Sequence, residues 1–346
     1  MSKKILITGC AGFIGFHLSN LLLKCGYHVI GVDALTDYYD PNLKKARLNI
    51  LLKRREFIFY KIKIENFENL SEVFDQNQPE IVIHLAAQAG VRYSIEFPFE
   101  YVNTNLVGTF NVLESSKRNN VFHLLMASTS SVYGSNEFMP FTETQKTDTP
   151  LSFYAATKKS NEIMAHSYSH IFKLPITMLR FFTVYGPWGR PDMALFKFTD
   201  AIKKNQPINV YNYGKMKRDF TFVEDLVISI ERLISRVPPQ TEGRLSTHIS
   251  SIDSLSPVAP HRVINIGNSK PAELMDYISA LEHALGKKAK KNMMPIQMGD
   301  VPETWADTKL LNEMIGYVPS TPVEIGVKAF AEWYETYTAS LQNGIK

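Results

Sequence analysis

Near its N-terminus the chain reads Lys4-Ile5-Leu6-Ile7-Thr8-Gly9-Cys10-Ala11-Gly12-Phe13-Ile14-Gly15. A short apolar run ends there at a glycine-rich turn and leads into an amphipathic segment that contains Leu18, Leu21, Leu22 and Leu23. This is the order strand, glycine turn, helix, in which glycines allow the backbone to approach a pyrophosphate and allow the helix to pack closely on the strand. The N-terminus of the helix then faces the phosphates.

A second apolar run, at 27–32, ends at Asp33. Asp33 follows the glycine turn by about 20 residues, where a carboxylate accepts hydrogen bonds from a ribose 2'-hydroxyl and repels a 2'-phosphate. We therefore predict that Gly9, Gly12, Gly15 and Asp33 form a site that prefers NAD to NADP.

Further apolar runs at 56–64, 80–85 and 122–127 predict more strands, and a helix is predicted over 101–119 between the last two. Strands that alternate with helices predict an α/β fold with a doubly wound parallel Rossmann sheet. Ligands of such sheets bind at the carboxyl ends of the strands. Ala86, Ala87 and Thr129 are therefore expected on the cofactor side.

Length and composition limit the other possibilities. At 346 residues the chain is longer than one core usually supports, so we expect a second, smaller lobe. The net charge of +4 is spread along the chain, and no nucleic-acid partner is predicted. Cys10 and Cys25 are the only cysteines, too few for a disulfide framework or a zinc cluster, so no metal site is predicted. The first apolar run is too short for a signal peptide or a membrane anchor, and we predict a cytoplasmic protein.

Tyr154 and Lys158 lie one turn apart in a helix predicted over 154–172, so their side chains share a face. A cation about 4 Å from a phenol, at an effective dielectric near 20, contributes roughly 4 kcal/mol. That free energy lowers the phenol pKa by about 3 units from ~10 and makes a base that works near pH 7. A packed surface helix with a chance Tyr and Lys is the alternative.

Hydroxyl side chains crowd the segment Ser128-Thr129-Ser130-Ser131, which follows a predicted strand. One of them can bridge a substrate and Tyr154 and hold a sugar hydroxyl in line for proton transfer. Its place relative to the strand end favours Thr129. For any single serine here, an ordinary serine-rich turn is the alternative.

The glycine turn, this hydroxyl run and Tyr154-x-x-x-Lys158, in that order and spacing, resemble the extended short-chain dehydrogenase/reductase family. The resemblance covers nearly the whole chain. Within the family it is closest to NAD-dependent nucleotide-sugar epimerases, and closer still to UDP-glucuronate 4-epimerases, through the long stretches 84–94, 180–193 and 212–220.

The resemblance implies site residues. Thr129, Tyr154 and Lys158 would form the catalytic triad, with Lys158 also holding the nicotinamide ribose. The residues expected to bind NAD are Gly9, Gly12, Phe13, Ile14, Gly15, Asp33, Ile64, Leu85, Ala86, Ala87, Asn105, Tyr154 and Lys158. The residues expected to bind a UDP-sugar are Arg92, Thr129, Ser130, Ser131, Thr183, Arg190, Arg218 and Asp300.

The resemblance also implies roles at the two ends of the substrate. Arg218 would hold the diphosphate, which suits a planar charged fork, and Asp300 would face the uridine. A homodimer is expected, formed by the outward face of the helix over 154–172, with Met164, Tyr168 and Ile171, and by the helix near 105–114.

One departure concerns the cofactor. Lys63 stands where the family usually has an Asp that contacts adenine, so we expect weaker NAD binding, to which the Ile64 backbone still contributes. Cys10 replaces a small residue of the glycine turn and is expected to act as a small buried hydrophobe.

The residues after Thr129 separate the reactions of related enzymes. Sugar 4,6-dehydratases resemble a Thr-Asp-Glu pattern here, and UDP-glucuronate decarboxylases have a Glu in place of Ser131. This chain has hydroxyls at Ser130 and Ser131, so epimerisation remains, with Tyr154 as acid and base. The resemblance implies that the reaction is 4-epimerisation of UDP-glucuronate to UDP-galacturonate. The alternatives are a UDP-glucose or UDP-N-acetylhexosamine 4-epimerase and, more remotely, a non-catalytic Rossmann protein that senses NAD.

A glucuronate substrate would pass through a 4-keto acid that can lose carbon dioxide, so its carboxylate must be held. Arg190 or Arg92 can supply the charge, and Arg190 is favoured because it follows the turn at 186–189 between the lobes. The alternative role for Arg190 is to stabilise the domain junction.

We predict an NAD-binding domain over 1–183 and 213–236 and a nucleotide-sugar lobe over 184–212 and 263–346. Amphipathic helices over 273–285 and 323–337 would close the lobe. The segment 237–262, rich in Ser and Pro, is predicted to be an exposed loop or insert.

Overall fold

The computed structural model of the protein describes residues 3–240, 252–297 and 299–342. Its strands are β1 (Lys4–Thr8), β2 (His28–Val32), β3 (Phe57–Tyr60), β4 (Ile81–His84), β5 (His123–Thr129), β6 (Ile176–Phe181), β7 (Thr183–Tyr185), β8 (Pro207–Val210), β9 (Lys217–Arg218), β10 (Phe220–Phe222), β11 (His261–Ile266), β12 (Ala272–Glu273), β13 (Lys290–Met293) and β14 (Glu303–Thr304).

Its helices are α1 (Phe13–Lys24), α2 (Pro41–Leu51), α3 (Phe67–Asn77), α4 (Tyr93–Glu96), α5 (Pro98–Tyr101), α6 (Thr109–Arg118), α7 (Phe153–Phe172), α8 (Ala194–Lys203), α9 (Val223–Leu233), α10 (Leu274–Leu285), α11 (Lys309–Ile315) and α12 (Val323–Gln342). A π-helical segment, Val102–Gly108, joins α5 to α6, and Ser130–Tyr133 and Tyr211–Gly214 are 3-10 turns.

Seven parallel strands form the central sheet in the order β11-β6-β5-β4-β1-β2-β3. This confirms the predicted doubly wound Rossmann sheet. The order reverses between β1 and β4, where the connections leave toward opposite sides and open a crevice at the carboxyl edge. The glycine turn after β1 lies at that crevice.

Both faces of the sheet are covered, as the unbroken apolar sequence of its strands requires. Ile5 and Ile7 of β1 pack in a cluster with α1, α9 and α11, and Leu6 between them packs in a second cluster with α3, α6 and α7. A third cluster, built from α8, α10, α12 and the strands β8 and β10, is the core of a smaller lobe. There the Phe220 and Tyr277 rings stack with centroids 4.0 Å apart.

The structure divides the chain differently from the predicted domain boundaries in two places. β11 pairs with β6 in the central sheet, although the prediction gave residues from 263 onward to the lobe. Conversely, β9 and β10 pair outside the central sheet, and Phe220 and Phe222 pack in the lobe core. Strand pairing over long sequence separations decides these boundaries, and local composition does not reveal it.

The segment predicted as an exposed loop at 237–262 is partly packed. Residues 241–251 lie outside the described residues, whereas Leu255 and Ala259 are buried. Arg262 forms a two-point ion pair with Asp253, with Nε–Oδ1 and Nη2–Oδ2 distances of 2.9 and 3.0 Å. The prediction of an exposed loop is therefore wrong for residues 252–262, because the polar composition does not reveal this burial and ion pairing.

The helix predicted over 101–119 is continuous but changes type, since its first part is the π-helical segment. No helix among the described residues is long and apolar enough to cross a membrane.

Candidate active site

The glycine turn after β1 leaves no room for a side chain at Gly9 or Gly15. Gly9 has φ of +76°, and a Cβ atom there would lie 2.8 Å from the Ala86 nitrogen. A Cβ on Gly15 would lie 2.0 Å from the Gly9 oxygen. The backbone is therefore open to a pyrophosphate at the N-terminus of α1, as the sequence predicts for a dinucleotide.

Asp33 stands at the end of β2 on the wall of the same cavity. Its Oδ2 accepts a hydrogen bond from the Ala11 amide at 3.0 Å, and its Oδ1 accepts one from the Leu35 amide at 2.8 Å. These amides hold the carboxylate in place to accept hydrogen bonds from ribose hydroxyls. The glycine turn and Asp33, which line this cavity, therefore fit NAD.

Helix α7 carries Tyr154 and Lys158. It begins after Ser152, whose Oγ accepts from the Ala155 amide at 3.1 Å and caps the helix. Both predicted catalytic side chains line the first cavity, so they point to the same side of the helix. The Lys158 Nζ donates to the Ala127 carbonyl of β5 at 2.9 Å.

Burial governs the ionisation of both groups. It lowers the pKa of Lys158 to about 8, and Glu162 opposes that shift by attraction. Burial also raises the pKa of Tyr154, against the opposing charge of Arg190 and a hydrogen bond from Thr129. The expected lowering of the Tyr154 pKa by Lys158 is therefore wrong for this arrangement, because desolvation dominates and the cation that lowers the pKa is Arg190.

A buried ion pair supports the floor of the site. Arg180 Nε and Nη2 each donate to a Glu162 oxygen at 2.9 Å, and the Ser128 hydroxyl donates to Glu162 Oε1 at 2.7 Å. Glu162 follows Lys158 by one turn of α7, so the pair ties the catalytic helix to the ends of β5 and β6.

Two cavities meet at Tyr154. The first is lined by the glycine turn and by Asp33, Ile64, Leu85, Ala86, Ala87 and Lys158. The second, about 990 Å³, is large enough for a nucleotide sugar and extends into the lobe. Residues common to both include Tyr154, Ser128 and Arg190. A group bound in either cavity therefore reaches the same phenol.

All residues predicted to bind the sugar nucleotide line the second cavity: Arg92, Thr129, Ser130, Ser131, Thr183, Arg190, Arg218 and Asp300. All residues predicted to bind NAD line the first cavity except Asn105. Asn105 is fully buried, and its Nδ2 donates to the Gln88 carbonyl and the Thr157 hydroxyl, both at 3.0 Å. Asn105 lies in the π-helical segment and therefore holds α7 and the loop after β4 in position. Segments of this kind are frequent at functional sites.

Arg190 does not carry a free charge. Its Nε and Nη2 donate to Asp192 Oδ1 and Oδ2 at 2.9 and 2.5 Å. The Tyr38 hydroxyl donates to Asp192 Oδ2 at 3.2 Å, and Tyr38 lines both cavities. The three side chains form a bridge between the loop after β2 and the lobe.

The far end of the second cavity holds the other two arginines. Arg218 Nη1 and Nη2 donate to the Pro302 and Val301 carbonyls at 2.9 and 2.5 Å, and burial lowers its pKa. Arg92 pairs with Asp300 at 3.2 Å and lies over the Tyr211 ring. The structure thus brings Arg92 to the end predicted for uridine.

Comparisons with known proteins identify the family. A family model described as GDP-mannose 4,6 dehydratase matches residues 6–330. The chain belongs to this family. Its members are short-chain-dehydrogenase-type epimerases and dehydratases of nucleotide sugars.

Several relatives within the family are similar over almost their whole length. Protein CapI of Staphylococcus aureus is 54% identical over 334 residues, which cover 96% of this chain and 99% of that protein. A protein of Rhizobium meliloti named "Probable UDP-glucuronate 4-epimerase" is 52% identical, with 96% and 97% covered. The crystal structure of UDP-glucuronic acid 4-epimerase from Bacillus cereus with UDP-glucuronic acid and NAD is 33% identical, with a TM-score of 0.85 and 96% and 99% covered.

Sequence reasoning missed several residues of this epimerase/dehydratase site. Tyr38 and Asp192 join Arg190, and Glu65 and Thr104 line the first cavity. Lys63 is exposed and does not line that cavity. Asp192 follows Arg190 closely in sequence, which was an available signal. The place of Tyr38 follows only from the tertiary structure.

Proposed function

We propose that the protein interconverts UDP-glucuronate and UDP-galacturonate by transient oxidation at carbon 4 of the sugar. The observation that carries this proposal is the junction of the two cavities at Tyr154, which allows one phenol to serve a sugar hydroxyl beside a dinucleotide. Bound NAD supplies the hydride acceptor and donor, and its positive ring favours the phenolate.

Tyr154 takes the proton of the sugar 4-hydroxyl and later returns it. Because burial raises its pKa, it needs neighbouring positive charge, and the charge of Arg190 lowers that pKa. The Thr129 hydroxyl lines the second cavity together with Tyr154 and would align the 4-hydroxyl there. Lys158, at a pKa of about 8, is mostly protonated at neutral pH, and it is also in place to hold the nicotinamide ribose.

The hydroxyl run supports epimerisation over elimination. Thr129 Oγ1 accepts from the Ser131 amide at 3.2 Å, and Ser131 lies in a 3-10 turn at the edge of the second cavity. Ser130 and Ser131 bring no carboxylate to this edge, so they offer no group of the kind that removes a carbon-5 proton. The ketone is then reduced again from the opposite face after it turns.

The sugar carboxylate is held by neutral donors together with a balanced ion pair. Thr129, Ser130 and Ser131 offer hydroxyls, and Thr183 lies on the same cavity wall. Arg190 is preferred to Arg92 because it lies at the junction with Tyr154, whereas Arg92 pairs with Asp300. At the other end, Arg218 binds the diphosphate, since its guanidinium contacts carbonyls and keeps its charge for phosphate.

A UDP-glucose or UDP-N-acetylhexosamine 4-epimerase is the second candidate. The observation that favours it is the Arg190–Asp192 pair, because its balanced charge suits a neutral group at carbon 5 as well as a carboxylate.

A panel of sugars tests the proposal. The purified protein, without added NAD, is incubated with UDP-glucuronate, UDP-glucose or UDP-N-acetylglucosamine, and the products are separated. We expect UDP-galacturonate from the first, and at least about a hundredfold slower conversion in Tyr154→Phe with its NAD content unchanged. Conversion of UDP-glucose alone would establish the second candidate.

We also propose a homodimer formed by α6, α7 and the π-helical segment. Val107, Phe110, Ile163 and Ile171 are exposed there, and such a group of apolar side chains is typical of an interface. The predicted Tyr168 donates to Glu114 within the chain at 3.2 Å, and Ile163 is exposed on the same helix. The cytoplasmic location stays a prediction.

A further inference from the structure

We propose that the Glu65 carboxylate accepts a hydrogen bond from the 6-amino group of the adenine of bound NAD and so selects the base. This inference rests on the proposed function, which requires a bound dinucleotide. Glu65 lines the first cavity two residues after Lys63, the residue that departs from the family pattern.

The sheet order indicates where the base lies. Asp33 ends β2 and takes the adenosine ribose, and β3 is the next and outermost strand on that side. Beyond the ribose, the cavity is therefore lined by the residues that follow β3. These are Ile62, Ile64 and Glu65.

Ile62 and Ile64 give this part of the cavity apolar walls. Ile64 is 4% exposed and packs tightly against Gly108 of the π-helical segment. A Cβ atom on Gly108 would lie only 2.6 Å from the Ile64 Cδ1 atom. A flat aromatic base suits apolar walls of this kind, but its amino group needs an acceptor.

The Glu65 side chain is held in place at the cavity edge. The Thr104 hydroxyl, which also lines the cavity, donates to Glu65 Oε1 at 2.5 Å. The buried Asn111 Nδ2 donates to the Ile64 and Glu65 carbonyls at 2.9 and 3.0 Å. Both the backbone and the carboxylate are thus positioned by the π-helical segment and α6.

Charge selects Glu65 over the other groups near the base. Among the described residues that line the first cavity, the carboxylates are Asp33 and Glu65, and Asp33, at the end of β2, is in place for the ribose. Thr104 contacts one Glu65 oxygen, and the other can accept from an amino group. Lys63 is exposed and does not line the cavity, so it does not compete with Glu65 for the base.

A competition between two dinucleotides tests the assignment. The purified protein is equilibrated with equal concentrations of NAD and of the analogue in which purine replaces adenine, so that a hydrogen atom replaces the 6-amino group. After desalting and denaturation, the two bound dinucleotides are quantified by chromatography. The ratio does not depend on the fraction of folded protein, so a partly destabilised variant remains informative.

We expect the wild type to prefer NAD by at least about tenfold, as a charge-assisted hydrogen bond provides. In Glu65→Ala the ratio should fall close to one, and in Glu65→Gln, which keeps an acceptor oxygen without the charge, it should be intermediate. Glu72→Gln, an exposed charge on α3, and Lys63→Ala should keep the wild-type ratio.

Two outcomes overturn the assignment: an unchanged ratio in Glu65→Ala, or a fall in Lys63→Ala as large as that in Glu65→Ala. A wild type that binds neither dinucleotide would contradict the proposed function instead, so the two failures are distinguishable.

Discussion

Replacing Lys158 by Met should stabilise the protein at neutral pH while it abolishes activity. The amine is 2% exposed, and burial lowers its pKa from 10.5 to about 8. At pH 7 the amine is protonated in both the folded and the unfolded chain, so the folded state bears the cost of a buried charge. Met fills a similar volume without that charge.

The magnitude follows from the shift. The buried charge lowers the free energy of unfolding by about 3 kcal/mol at pH 7. Because the folded pKa lies below the unfolded value, the penalty is complete below about pH 8 and disappears as the pH rises through 10.5. About 1.4 kcal/mol remains at pH 9.5. Loss of the hydrogen bond to Ala127 offsets about 1 kcal/mol. Lys158→Met should therefore be about 2 kcal/mol more stable at pH 7 and nearly equal at pH 9.5.

Urea unfolding at both pH values measures this difference. Wild type and variant are first stripped of dinucleotide, with the content checked by absorbance, because a bound ligand stabilises the folded state. Lys45→Met, an exposed lysine on α2, is the control and should change stability by less than about 0.5 kcal/mol. A Lys158→Met variant that is less stable at pH 7, or whose difference from wild type is the same at both pH values, would refute the reasoning.

Four further changes test other parts of the structure. Burial lowers the pKa of His123 to about 4, so the wild type should lose about 2 kcal/mol of stability from this residue between pH 7.5 and pH 5, as the unfolded chain takes up the proton. Urea unfolding of His123→Asn should lack this loss, and an equal loss would contradict it. Gly15→Ala places a methyl group 2.0 Å from the Gly9 oxygen and should lower NAD affinity at least about tenfold in a binding titration; wild-type affinity would exclude the pyrophosphate turn. Ile163→Glu should convert the proposed dimer to a monomer in sedimentation, whereas an unchanged mass would place the interface elsewhere. Arg190→His should raise the 4-keto-pentose by-product or cut turnover, and product analysis that finds neither would remove its role.

Much of the site is readable from the sequence because it depends on local spacing. The glycine turn and Asp33 follow from their positions at the ends of two apolar strands, and strand pairing places both on one cavity. Tyr154 and Lys158 share a face because they lie one turn apart on a helix that begins one residue earlier than predicted. These features can be predicted from the spacing of residues along a strand or a helix alone.

The contacts between these segments, and the burial of their side chains, follow only from the tertiary structure. Lys158 binds the Ala127 carbonyl, and Arg190 is balanced by Asp192, so the phenol experiences burial more than a neighbouring cation. Long-range pairing also placed β11 in the central sheet and turned Glu65 toward the cavity while Lys63 faces outward. Desolvation and distant contacts depend on the packing of the whole chain, and spacing along the sequence does not encode them in any local pattern.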